Sequence, residues 1–209
     1  LRQAEGSTSA WGVWDSNLIE KVFSAEFLEA LRPKMSALWR QANIALYSER
    51  EEESKNSFSG ETMMSLVAVK CCSENHDWAE NLTHDEAIKA VRISTIELSG
   101  FADFLSKLEV AHPKAVEEIF IYEVHAQIES FKVSGKAPVF YDVLSSGSEL
   151  IKNIAIIAIM SKLYAIADAM EKGPNSDLKY IFELVAAHNS AEAQCALINL
   201  INQYLDTAQ

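Results

Sequence analysis

The chain has 209 residues, 49% of them hydrophobic, with a formal net charge of −12 and only seven glycines and four prolines. A chain of this size buries about 70% of its unfolded surface, and so few turn residues point to an all-α fold. The acidic balance excludes a general nucleic-acid binder, which needs a basic footprint, and disfavours an anionic membrane surface.

Three cysteines, two of them adjacent (Cys71 and Cys72), make no disulfide framework. With no signal-peptide pattern, the expected location is cytoplasmic. The first residue is Leu1 rather than methionine, so the chain is read as part of a larger protein.

Residues 1–13 carry no periodicity and read as a tail or linker; 14–209 read as a single all-α domain. Ser16 is expected to cap a helix carrying Leu18, Val22, Phe23, Phe27, Leu28 and Leu31. Pro33 restarts the chain as a first-turn residue, and Met35, Leu38, Trp39, Ala42 and Leu46 then recur at helical spacing. The charge run Ser48 to Ser57 reads as a solvated loop. Ser59 and Gly60 open an apolar helix to about Cys72, with Cys71 a small core residue. Ser73 to Asn81 is a polar connection anchored by Trp78.

Thr83, with Glu86 three residues on, is a capping box. Gly100 is expected to close that helix, because glycine enters the left-handed conformation without a Cβ penalty. Phe101, Phe104, Leu105 and Leu108 mark a short helix ending near His112. Pro113 starts a longer one through Val116, Ile119, Phe120, Val124, Ile128 and Phe131. A loop with Gly135 and Pro138 leads to a short helix or turn at 139–145. Ser146 and Glu149 form a second capping-box pattern before the most hydrophobic helix, 150–170. Lys152, Asn153, Lys162 and Asp168 interrupt it, leaving no apolar run of the roughly 18 residues a membrane span needs. The last pair covers Asp177 to Ala187 and Asn189 to about Leu205, with Asn189 and Glu192 as a third capping-box pattern.

The sum is roughly eight helices in stacked antiparallel hairpins, either solenoid-like or an irregular bundle. A loose repeat supports the first arrangement: Phe104-x3-Leu108, Phe140-x3-Leu144 and Tyr180-x3-Leu184 lie roughly 36 and 40 residues apart, a period of helical-pair repeats.

From about Leu38 to Val124 the chain resembles the helical C-terminal regions of large bacterial proteins with NACHT-type (STAND) ATPase modules. The residues are LWRQAN around Trp39, ELSGFADFLSKL from Glu97 and HPKAVEEIFIYEV from His112. They cover under half the chain and are packing and capping residues. The resemblance implies a sensor or scaffold, with nucleotide chemistry elsewhere; no G-x-x-x-x-G-K-[ST] loop occurs here.

Chemistry-bearing residues are scattered. His76, Glu80 and His84 would share one face of a continuous helix and could hold a metal, but Thr83 as a helix start breaks that face. No His-Glu-x-x-His motif or Gly-x-Ser-x-Gly elbow occurs. Glu117 and Glu118 look outward, whereas Glu123 falls near the apolar face and would want a partner such as Arg92 or Lys107. His112 and His188 read as helix-end caps that bond free carbonyls. Cys72 beside His76 is a thiolate pair only if the fold joins them.

No catalytic, cofactor or metal residue is assigned. The expected function is a non-enzymatic interaction, scaffold or sensor module of a larger cytosolic bacterial protein. Its protein partner would meet the exposed-looking aromatics Trp78 and Tyr141 and the acidic residues Glu49, Glu51, Glu52 and Glu53. The alternative is a small all-α enzyme or ligand carrier with an interhelical pocket, and a third reading is a homodimer through helix 150–170.

Overall fold

The computed structural model describes residues 14–97, 100–130, 137–162, 165–166, 177–187 and 191–207. Among these residues there are ten α-helices, two 3-10 turns and no strand. The all-α expectation holds. The count exceeds eight because short helices stand separately, each ended by its own cap. The chain divides into two compact units, one up to Val116 and one from Glu117.

The first unit opens with α1 (Ser16–Val22), capped by Asp15, whose side chain accepts from the Leu18 amide at 2.9 Å. Ser16 is the first helical residue rather than the cap. α2 (Ala25–Gln41) follows, capped by Ser24 at φ 154°. The break expected at Pro33 therefore falls at Phe23–Ser24, and Pro33 sits inside α2. Proline removes one amide donor there, but it lies on the exposed side. The buried stripe of Leu28, Met35 and Trp39 holds the helix continuous across it.

The helical stripe was also expected to reach Leu46. Instead α2 stops at Gln41 and the chain turns extended. Ala42, Ile44 and Leu46 are then buried at every second residue, the period of an extended chain. Basic side chains bind its carbonyls: Arg92 Nη1 donates to Ile44 O at 3.2 Å, and Arg50 Nε to Ala45 O at 3.2 Å. Lys89 Nζ donates to the carbonyl of Arg40.

α3 (Gly60–Ser73) starts at the expected Ser59 cap and packs on α2. α4 (His84–Ser94) starts at the Thr83–Glu86 capping box, both halves of which form. The Glu86 carboxyl is held below its ordinary pKa, first by the Thr83 amide and then by the Arg40 guanidinium. A lowered folded-state pKa adds stability that is present above the ordinary glutamate range and is lost as pH falls through the lowered value. Thr83→Ala should cost about 1 kcal/mol, measurable as a lower urea midpoint at neutral pH; an unchanged midpoint would show that the box is idle.

α4 ends at Ser94, short of Gly100. Ser94 Oγ and Thr95 Oγ1 donate to the carbonyls of Val91 and Arg92, offering the backbone an alternative to helix. Gly100 does take a left-handed φ of 84°, but within the turn beyond the helix, where Ala102 N returns to Ser94 O at 3.0 Å. α5 (Leu105–Ala111) ends at His112, and Pro113 opens α6 (Pro113–Ser130) as expected. The core of this unit includes Trp39, Trp78 and Phe104, with centroids 6.3 and 5.9 Å apart in edge-to-face contacts.

In the second unit α6 is followed by α7 (Pro138–Ser146), α8 (Glu149–Ser161), α9 (Leu178–Ala187) and α10 (Ala191–Thr207). Ser146 is the last residue of α7. The cap of α8 is Ser148, which accepts from the Ile151 amide at 3.2 Å, so the second capping-box pattern was placed two residues early. The helix expected over 150–170 ends at Ser161. α7 packs on α8 and α9, burying Phe140, Ile151, Ile159 and Leu184. Residues 1–13, Phe131, Gly135, Asp168, Met170, His188 and Asn189 lie outside the described residues. No helix among the described residues is long and apolar enough to cross a membrane.

Candidate functional site

The residues expected to meet a partner have different fates. Trp78 is 6% exposed and belongs to the core, so it is not a surface aromatic. The polar run Ser73–Asn81 gave it an exposed look, yet that run is a connection whose one large apolar side chain turns inward. Glu49 joins the framework: its carboxylate receives Arg92 Nη1 at 2.6 Å and Nη2 at 3.0 Å, and accepts the Leu46 amide at 3.0 Å. Glu51, Glu52 and Glu53 are exposed, with Glu52 paired to Lys55 at 2.6 Å. Tyr141 is 51% exposed, its ring edge-on to Tyr180 at 5.3 Å.

A different surface went unnoticed in the sequence. Leu18, Val22, Phe23 and Phe27 are 41%, 61%, 63% and 45% exposed, and the rings of Phe23 and Phe27 stack at 4.9 Å. Assigned to one continuous helix, they had seemed an inward stripe. The break at Ser24 separates Leu18, Val22 and Phe23 from the buried Leu28, and Phe27, beside Leu28 on α2, stays exposed. The available signal was Ser24 followed by Glu26, a cap and an acidic first turn in mid-pattern.

The metal stripe does not assemble. His76 is 94% exposed and its Nδ1 lies 2.8 Å from Asp77, while His84 is the first residue of α4. Among the described residues no three His, Cys, Asp or Glu side chains could hold a metal. Glu123 is buried as expected, but its partner is Gln127 one turn on, whose Nε2 donates to it. Arg92 is engaged with Glu49, and Lys107 Nζ donates to Ser73 O at 2.5 Å. His112 Nε2 lies 2.8 Å from Ala79 O, so it does bond a carbonyl, that of the preceding connection rather than of its own helix.

A polar cavity of about 270 Å³ in the first unit is lined by Trp14, Lys70, Glu74, Asp103 and Lys107 among others. Its charges are committed to the fold: Lys70 to Glu97 at 2.7 Å and Glu74 to Arg32 at 3.0 Å. The Trp14 indole N–H is buried there without a partner.

The most chemically distinctive group is the cysteine pair at the end of α3. Cys71 is buried, whereas Cys72 is half-buried. Burial raises a thiol's pKa, and for Cys71 its hydrogen bond with Cys72 and desolvation together push it well up. Cys72 moves the opposite way, to about 7: first through the Cys71 thiol, then, against desolvation, through the Trp39 indole, the Arg40 guanidinium and Ser36. The expected pairing of Cys72 with His76 gives way to these groups, and His76 is 94% exposed with its Nδ1 2.8 Å from Asp77.

No protein-family model, no curated protein and no solved structure matches the chain.

Proposed function

We propose that the chain is a non-enzymatic helical interaction module that binds a protein partner, as a scaffold or sensor segment of a larger cytosolic bacterial protein. The observation that supports this reading is the apolar surface of Leu18, Val22, Phe23 and Phe27 on an otherwise acidic chain. Neighbouring exposed apolar side chains, unlike singly scattered ones, mark interaction surfaces. The stacked-hairpin arrangement and the link to NACHT-type proteins belong to the same proposal, the latter resting on the segments around Trp39, Glu97 and His112.

The test is affinity capture of the tagged chain in its native host, comparing it with Phe23→Ser/Phe27→Ser and with charge reversal at Glu51–Glu53. Because both phenylalanines are exposed, the double variant should keep its unfolding free energy within about 0.5 kcal/mol while losing the co-purifying protein. The same proteins recovered with wild type and the double variant would sink the α1–α2 surface. A stoichiometric small molecule and no protein would move the assignment to a ligand carrier, for which the cavity beside Lys70 and Lys107 is the place to look. A dimer in sedimentation that dissociates in the double variant would make a second copy the partner.

A further inference from the structure

The polar cavity of the first unit shares no residue with the apolar surface, and its lining holds both signs of charge. Lys70 lines it from α3 and Lys107 from α5, while Glu74 caps the end of α3 and Asp103 immediately precedes Phe104, the cap of α5. Phe104 and Trp14 supply the aromatic part of its wall.

One bond ties each charged group to the fold, and each keeps bonding capacity beyond it. An ammonium carries three donors. Lys70, only 14% exposed, gives one to Glu97 at 2.7 Å, and Lys107 gives one to Ser73 O at 2.5 Å. Among the described residues no carboxylate pairs with Lys107. Glu74 meets Arg32 through Oε2, and Asp103 accepts the Phe104 amide on Oδ1, leaving Oε1 and Oδ2 without a partner among the described residues. The Trp14 indole N–H is buried and has no acceptor. A buried donor left unmade costs the full desolvation of the group.

These open valences select a ligand that carries both charges. A simple anion would face Glu74 and Asp103 across a small volume, and a simple cation would face the two lysines; like charges brought together are penalised. At about 270 Å³ the cavity falls just under the roughly 300–1,000 Å³ of pockets for drug-sized ligands, which suits a smaller molecule. We propose that the cavity binds a free α-amino acid, its carboxylate received by Lys107, Lys70 and the Trp14 N–H and its ammonium by Glu74 and Asp103. The carboxylate supplies the acceptor that Trp14 lacks and the counter-charge that Ser73 O does not give Lys107. The ligand's side chain lies against Phe104 and the Trp14 ring. Binding joins the ends of α3 and α5 to the segment before α1, so the occupied protein is the more stable one.

The full chain is screened by thermal unfolding with each of the common L-amino acids, and those that raise the midpoint are titrated calorimetrically. Acetate, ethylamine and inorganic phosphate are the single-charge controls. At least one amino acid should raise the midpoint by about 3 °C when supplied at roughly tenfold its Kd, near 10 mM, and the three controls should leave it in place. Lys107→Gln keeps a donor for Ser73 O but removes the charge, and Trp14→Phe removes the N–H. Each loses a charge-assisted hydrogen bond and should weaken binding about tenfold or more. Lys114→Gln, at an exposed lysine of α6 outside the cavity, should bind as wild type does. Circular dichroism checks that the variants fold; should Lys107→Gln fail, Trp14→Phe decides alone. No shift with any amino acid, equal shifts with acetate or phosphate, or undiminished binding by the folded variants would each overturn the proposal. None of these outcomes touches the partner-binding reading, whose test uses Phe23 and Phe27.

Discussion

Trp78→Ala should lower stability by about 3–5 kcal/mol, the cost of deleting a large buried aromatic and leaving a partly collapsed cavity. The indole is 6% exposed and bridges Trp39 and Phe104 edge to face. Its ring ties the connection between α3 and α4 to the aromatic core. Urea unfolding followed by far-UV circular dichroism would show an earlier first transition. Tyr141→Ala is the control, since a half-exposed ring with one edge contact should cost no more than about 1 kcal/mol. A Trp78→Ala protein as stable as the control would mean that Trp78 is a surface residue after all, and would return it to the candidates for partner contact.

Gln127→Ala should cost about 2–3 kcal/mol, more than a surface polar substitution does. Gln127 is 1% exposed and its amide works in both directions: Nε2 donates to Glu123, and Oε1 accepts the Val139 amide at 3.1 Å. Truncation strands the Val139 N–H at the start of α7, where an unmade hydrogen bond costs the full desolvation of the group. Hydrogen exchange is the sharper measurement. The Val139 amide should lose protection in the variant, whereas the Ile151 amide, capped by Ser148, should keep it. Equal protection of Val139 in both proteins would rule out this bridge between α6 and α7.

Features that depend on neighbours within one turn of helix were legible in the residues alone. Thr83 with Glu86, Ser59 before Gly60 and Pro113 after His112 are local stereochemistry, and each stands where its pattern placed it. Gly100 adopts the left-handed backbone its type favours. The tertiary structure decided what long-range packing arbitrates. Pro33 lost to a buried stripe that needs α2 unbroken, and the helical spacing beyond Gln41 lost to Arg92 and Arg50, which hold an extended chain. Trp78 could not be told from a surface aromatic until Trp39 and Phe104 closed around it. Cys72, set beside His76 in the sequence, instead has Trp39, Arg40 and Ser36 of α2 among the causes of its lowered pKa. Those partners lie more than thirty residues before Cys72 in the chain, and no periodicity or cap records which side chain will meet a given sulfur.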